Sequence, residues 1–298
     1  MLLTTLVLCL FVQQPEATSL LGKPLYPMAL SEARKSDYLA KLAQAKDDFN
    51  QKPDDVMSHI WLGRRTAYLG HYRDAIAIYT RALEKFPREP RLYRHRGHRY
   101  ISIREFDKAR ADFRKAAELI AGQPDRVEPD GLPNAAGIPT STLHTNIWYH
   151  YGLVSYLQGD FAMAKSCYEK CLAASKNNDM MVATLDWLYM TLRRLGEHRA
   201  AKNLLKPITA DMKILENRSY HRRLLMYKGE LKPEQLLKVE GDADPHLTFA
   251  TQGYGVGNYY LVEGLEAQAK KTFAKVVDGP YWAAFGHIAA EADLARLR

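Results

Sequence analysis

From Ser31 onward apolar residues recur at helical spacing, and the recurrences themselves repeat every 34 positions. With Val56–Glu89 laid over Pro90–Gln123, Gly63 falls on Gly97, Tyr72 on Phe106, Ala75 on Ala109, Tyr79 on Phe113 and Ala82 on Ala116. Thr145–Asn178 supplies Trp148, Gly152, Gly159, Phe161, Ala164 and Tyr168 at the same offsets. Each segment predicts two antiparallel helices, turning near Gly70 in the first and Arg104 in the second. Small residues let the helices approach and aromatics fill the space between them. The register continues through Val182–Leu215, turning at Gly196, and through 216–249, which is degenerate and predicts a short second helix from Pro233. It recovers over 250–283 with Gly257, Tyr260, Gly264, Ala269 and Phe273.

The pattern also marks the ends and one interruption. Ser31 is suited to cap a lone helix running to about Phe49. Trp282–Arg298 predicts a terminal capping helix with Glu291, Asp293, Arg296 and Arg298 on its wet side. Residues 121–142 hold four prolines and three glycines, so they predict a long loop between the second and third units.

A 34-residue period with a small residue in the first helix, glycine at the turn and alanine then an aromatic in the second resembles the tetratricopeptide repeat (TPR) family. The resemblance implies an all-α fold: a helical-hairpin solenoid in which neighbouring pairs bury a continuous core and the ends carry caps. The expected organisation is a signal peptide over 1–19 and one solenoid over 20–298. Its repeats lie near 56–89, 90–123, 145–178, 182–215, 216–249 and 250–283, with the insertion at 121–142.

The resemblance further implies that the first helix of each pair lines a concave groove. The inward positions then hold Arg64 and Tyr68, Arg91, Arg94 and His98, Asn146, Tyr149 and Tyr156, and Asp186, Arg193 and Arg194. Arginine and tyrosine in that number suit carboxylates, phosphates or sugar hydroxyls. The expected ligand-binding set is therefore Arg64, Arg91, Arg94, His98, Asn146, Tyr149, Asp186 and Arg193. Arg94→Glu is expected to remove ligand capture and leave the fold intact. Glu128, Asp130 and Asn134 of the insertion are expected to form a lid or groove edge. The lysine and asparagine of the carboxylate clamp in TPR co-chaperones are replaced by Ile60 and Arg64, so that partner is not expected.

Charge and cysteine add a little. The chain is 298 residues long with a formal net charge of +8, which favours acidic partners, but no run of five like charges or nucleic-acid motif accompanies it. Of three cysteines, Cys167 and Cys171 sit four apart on one predicted helix, which reads as two small buried thiols. Leu2–Val12 is uncharged, too short to span a bilayer and suited to a signal-peptide core. With Ala17-Thr18-Ser19 it predicts cleavage after Ser19 and a periplasmic or secreted protein of bacterial type, although no Lys or Arg precedes the run.

These observations lead to an exported TPR scaffold that binds a peptide, a protein segment or an acidic or polyhydroxy ligand, with no cofactor, metal or nucleic acid expected. The alternative is a TPR-fold hydrolase or metal-dependent enzyme acting on a glycan or peptide. It would use Glu128, Asp130, His98, His150 and Asp186, and it requires one of those loop acids to meet His98, His150 or Asp186 around a cavity. A purely structural assembly subunit is a third reading.

Overall fold

The computed structural model describes residues 14–298. The expected signal-peptide core, Leu2–Val12, lies outside the described residues. Two short strands, β1 (Ala17–Thr18) and β2 (Pro24–Leu25), pair antiparallel ahead of the first helix. Then come α1 (Glu32–Gln51), α2 (Val56–Tyr68), α3 (Tyr72–Lys85), α4 (Pro90–Ser102), α5 (Phe106–Leu119), α6 (Leu143–Leu157) and α7 (Phe161–Ala174). The second half holds α8 (Asn178–Arg194), α9 (His198–Leu204), α10 (Arg218–Lys228), α11 (Pro233–Leu236), α12 (Pro245–Val262), α13 (Glu266–Val277) and α14 (Phe285–Arg296). No described helix is long and apolar enough to cross a membrane.

Each pair forms for the reason its sequence gives. A Cβ at Gly63 would sit 2.3 Å from the Tyr79 ring, and one at Gly152 would sit 2.7 Å from Tyr168. The glycine on the first helix is thus the seat of the aromatic on the second. Ser31 caps α1 through its bond from the Arg34 amide, and Thr142 and Thr145 close a capping box on α6. Cys167 and Cys171 are both buried free thiols, and burial pushes both up to about 12, so they behave as small apolar residues.

The two ends depart from the expected pattern. α14 caps the last repeat as expected, with Arg296 and Arg298 exposed, but Glu291 and Asp293 are not on a wet face. It packs on α12 and α13 and also reaches α6, across the array. Glu291 and Asp293 are each 1% exposed, because Glu291 takes two hydrogen bonds from Arg104 and Asp293 takes them from Arg194, Tyr254 and Arg296. The segment leading into α14 reaches the first repeat. Trp282 stacks edge-on against Tyr72 at 5.3 Å and donates its indole N–H to the Tyr26 carbonyl. The N-terminal hairpin joins the same closure. Ala17 is buried with Ile103 and Trp282, Glu16 accepts from the Arg73 amide at the start of α3, and the Leu20 amide donates to Glu291.

Candidate functional site

The described structure encloses a small cavity of about 140 Å³ between α2 and α4. Its wall is made of Arg64, Ala67, Tyr68, Tyr79, Arg94, His95, His98 and Arg99. The charge is one-sided. Arg94 meets Glu128 at 3.2 Å, and both side chains are largely buried. Arg64 donates to the Pro129 carbonyl and to the Tyr68 hydroxyl, and reaches no carboxylate. Arg99 lies 5.3 Å from the Tyr72 ring centre and, among the described residues, makes no ion pair. Three guanidinium groups therefore share one carboxylate.

The histidines register that imbalance. Burial, and then the neighbouring Arg94 and Arg64, hold His95 well below the usual histidine value. Burial followed by Arg99 does the same to His98. His150, whose ring centre is 4.6 Å from that of His98, is pushed down to about 3 by burial and Arg94, against the hydrogen bond it makes to the Asn146 carbonyl. All three rings are thus neutral near pH 7, and Glu128, 3.2 Å from Arg94 and 3.9 Å from His95, only partly offsets the positive field of the three arginines.

The insertion roofs the approach to this cavity. Arg64 holds the Pro129 carbonyl at 2.7 Å and Arg65 holds that of Gly131 at 3.1 Å. A Cβ at Gly131 would stand 1.9 Å from the Tyr68 hydroxyl and 2.3 Å from the Arg64 guanidinium, so a larger residue there would push both side-chain ends aside. Glu128 is buried, accepting from Asn146 at 2.7 Å and pairing with Arg94. Asp130 is half-buried and turns back on its own loop to accept from the Leu132 amide. Asn134 likewise organises the loop, bonding the Ala136 amide and the Ile138 carbonyl and reaching Glu216.

Several expected groove residues lie elsewhere. Asp186 is fully buried beside Arg223 at 2.8 Å and belongs to the core, because α10 and α12 close over that face of α8. Burial pushes its carboxyl up to about 7, with Arg223 pulling it down. Arg193 is spent on Glu263, the Val262 carbonyl and the Tyr189 hydroxyl. Arg91 folds back on Glu89, the cap of its own helix. Tyr149 bonds the Tyr220 hydroxyl and contacts Phe285 of α14. Arg94 is not a solvated groove residue. Arg64, Arg94 and His98 line one cavity together with Arg99 and His95, which the groove pattern did not assign. Both lie beside assigned positions in the basic run of α4, and that run was the available signal.

Among the described residues Glu128 forms no hydrogen bond or ion pair with His98, His150 or Asp186; the histidine it approaches is His95, at 3.9 Å. Among the described residues no three His, Cys, Asp or Glu side chains are arranged to hold a metal.

Comparison with known proteins bears on the fold. Residues 145–178 match the sequence model of the tetratricopeptide repeat. No curated protein matches the chain significantly. Fifty-two chains of solved structures do match. One is a tetratricopeptide repeat protein from Parabacteroides merdae, 16% identical, with 88% of this chain and 93% of that one covered and a TM-score of 0.51. Another is YrrB, described as a TPR protein with an unusual peptide-binding site, 15% identical over 78% of this chain and 91% of that one, TM-score 0.43. A third is PilW, a type IV pilus biogenesis factor, 17% identical over 84% and 89%, TM-score 0.44. The likeness is one of fold. Residues 145–178 match the tetratricopeptide repeat, and the chain around them has a TPR-like helical-hairpin solenoid fold.

Proposed function

We propose that this solenoid is a binding scaffold that takes an acidic group of a partner peptide or protein into the cavity between α2 and α4. The observation that carries the reading is that Arg64 and Arg99 line the cavity without a carboxylate partner, while Arg94 shares Glu128. A carboxylate entering there gains charge-assisted hydrogen bonds in a partly desolvated site. The space admits one such group and not a long segment. α14 and the insertion occupy much of the rest of the concave face. The segment 128–131 forms the rim, held by carbonyl contacts to Arg64 and Arg65. Export to a periplasmic or extracellular location, with processing after Ser19, is part of the same proposal and rests on the apolar run Leu2–Val12 and the small residues that follow it.

The hydrolase alternative requires a carboxylate beside His98 or His150. Glu128 is instead engaged by Arg94 and Asn146, with His95 3.9 Å away, so the pairing with His98 or His150 that this reading calls for is not formed.

The test is capture of acidic peptides from an immobilised library by wild-type protein and by Arg99→Glu. Arg99 is only half-buried and unpaired, so the variant keeps the fold. Wild type is expected to select peptides rich in Asp and Glu, with affinity falling as salt rises. Arg99→Glu is expected to lose at least about tenfold. Equal capture by both proteins places the ligand elsewhere.

A further inference from the structure

The repeat rule that seats an aromatic on a glycine is broken in the fourth repeat in a way that leaves space. At the first-helix position held by Gly63, Gly97, Gly152 and Gly257, the fourth repeat has Tyr189. At the second-helix position held by Tyr79, Phe113, Tyr168 and Phe273 it has Leu205. The bulky ring therefore sits on the first helix, and a smaller side chain stands where the filling ring would be. α9 also ends after seven residues, near Pro207, and does not pack substantially on α10. The two changes together open a cavity of about 500 Å³ between α8, α9 and α10.

Its composition is specific. The floor is Leu205 with Tyr189 and Tyr227, whose rings stack at 4.3 Å and 11°. The rim carries Arg193, His198, Lys202, Lys206 and Lys228, and no acidic residue lines the cavity. Arg193 and Lys228 have internal partners in Glu263 and Glu230. Lys202 and Lys206 are exposed and, among the described residues, form no ion pair. The volume is that of a small-molecule site, and such sites combine an apolar body with a few placed charges.

We propose that this cavity binds a planar aromatic group carrying an anion, seated on the Tyr189–Tyr227 floor with its negative charge against Lys202 and Lys206. Aromatic rings pack well on an aromatic floor, and the lysines at the mouth fix which end points outward. The same chemistry is offered by a free aromatic acid and by the C-terminal aromatic residue of a peptide. This site lies outside the arginine cavity and does not depend on the function proposed for it.

Titration calorimetry with N-acetyltryptophan, N-acetyltryptophanamide and a Gly-Ser heptapeptide ending in a free-acid tryptophan tests the proposal. The free acid is expected to bind, and the amide about tenfold more weakly. Tighter binding of the heptapeptide assigns a peptide terminus as the source, and equal binding assigns the free acid; both support the site. Lys202→Glu with Lys206→Glu, at two exposed positions, is expected to weaken acid binding at least about tenfold with an unchanged circular dichroism spectrum. Leu205→Phe, which restores the filling ring, is expected to block binding of all three probes. If neither acid binds, if the amide binds as well as the acid, or if the charge reversal changes nothing, the proposal fails.

Discussion

Arg104 and Glu291 are 187 residues apart and meet through two hydrogen bonds of 2.6 and 3.0 Å, with side chains 3% and 1% exposed. Arg104 is the only non-glycine described residue with positive φ, at 66°, and it stands at the turn position that Gly70, Gly159, Gly196 and Gly264 fill elsewhere. The left-handed conformation costs a side chain about 1 kcal/mol. It is tolerated here because the guanidinium also reaches the carbonyls of Ser102 and Trp282 and so anchors α14 to the second repeat.

Removing one side of this pair is expected to be costly. Arg104→Gly relieves the backbone but leaves Glu291 buried beside only His287 and the Leu20 amide, for a net loss of about 3 kcal/mol. Arg104→Gly with Glu291→Gln removes the orphaned charge and is expected to recover most of that loss. Urea unfolding of the three proteins decides it. Additive losses would show that the two residues are not coupled.

Arg94→Glu is expected to destabilise the fold, contrary to the expectation from the groove pattern. It places a second carboxylate against Glu128, which is 6% exposed. A loss of about 3 kcal/mol or more is expected by urea denaturation, with partial rescue by adding Glu128→Gln. An unchanged midpoint for the single variant would mean that Glu128 and its loop simply leave.

Acid should weaken the protein before its carboxylates titrate. His95, His98 and His150 stay neutral in the folded state, while in the unfolded chain they protonate near pH ~6.5. Their contribution is therefore complete above that pH and lost as pH falls below it, by about 1.4 kcal/mol per unit for each group, for His150 down to about 3. Asp186, raised to about 7 by burial, works in the opposite sense over the same range, but it is one group against three. The urea midpoint at pH 5 is expected to lie below that at pH 7.5. His98→Phe, which keeps the ring packing against His150 and Phe285, is expected to narrow the gap. Equal midpoints for wild type would contradict this.

The proposed processing after Ser19 would have a measurable structural consequence. A chain starting at Leu20 lacks β1, the Ala17 packing and the Glu16 cap on α3, and it gains an ammonium near Glu291. Glu291 is already engaged by Arg104 and His287, so the losses are expected to dominate, by about 1–2 kcal/mol. Thermal unfolding of chains starting at Gln14 and at Leu20 compares the two, and a more stable Leu20 form would reverse the assignment.

The sequence alone determined the repeating unit, because a glycine and an aromatic sixteen residues apart on two helices encode a local contact. Gly63 with Tyr79 and Gly152 with Tyr168 are legible without any knowledge of distant chain. It also determined Ser31 as a cap, the loop at 121–142 and the clustering of arginines on α4, all of which are properties of short spans. Only the tertiary structure decided where α14 goes. Its Glu291 and Asp293 read as a wet face, since charge patterning carries no sign of partners 187 and 99 residues away. For the same reason Asp186 looked like a groove residue until Arg223 was placed beside it, and Arg94 looked free until the loop brought Glu128 back. Helical spacing fixes which side chains share a face. What covers that face depends on superhelical closure, which sums small rotations over the whole array and brings its two ends together.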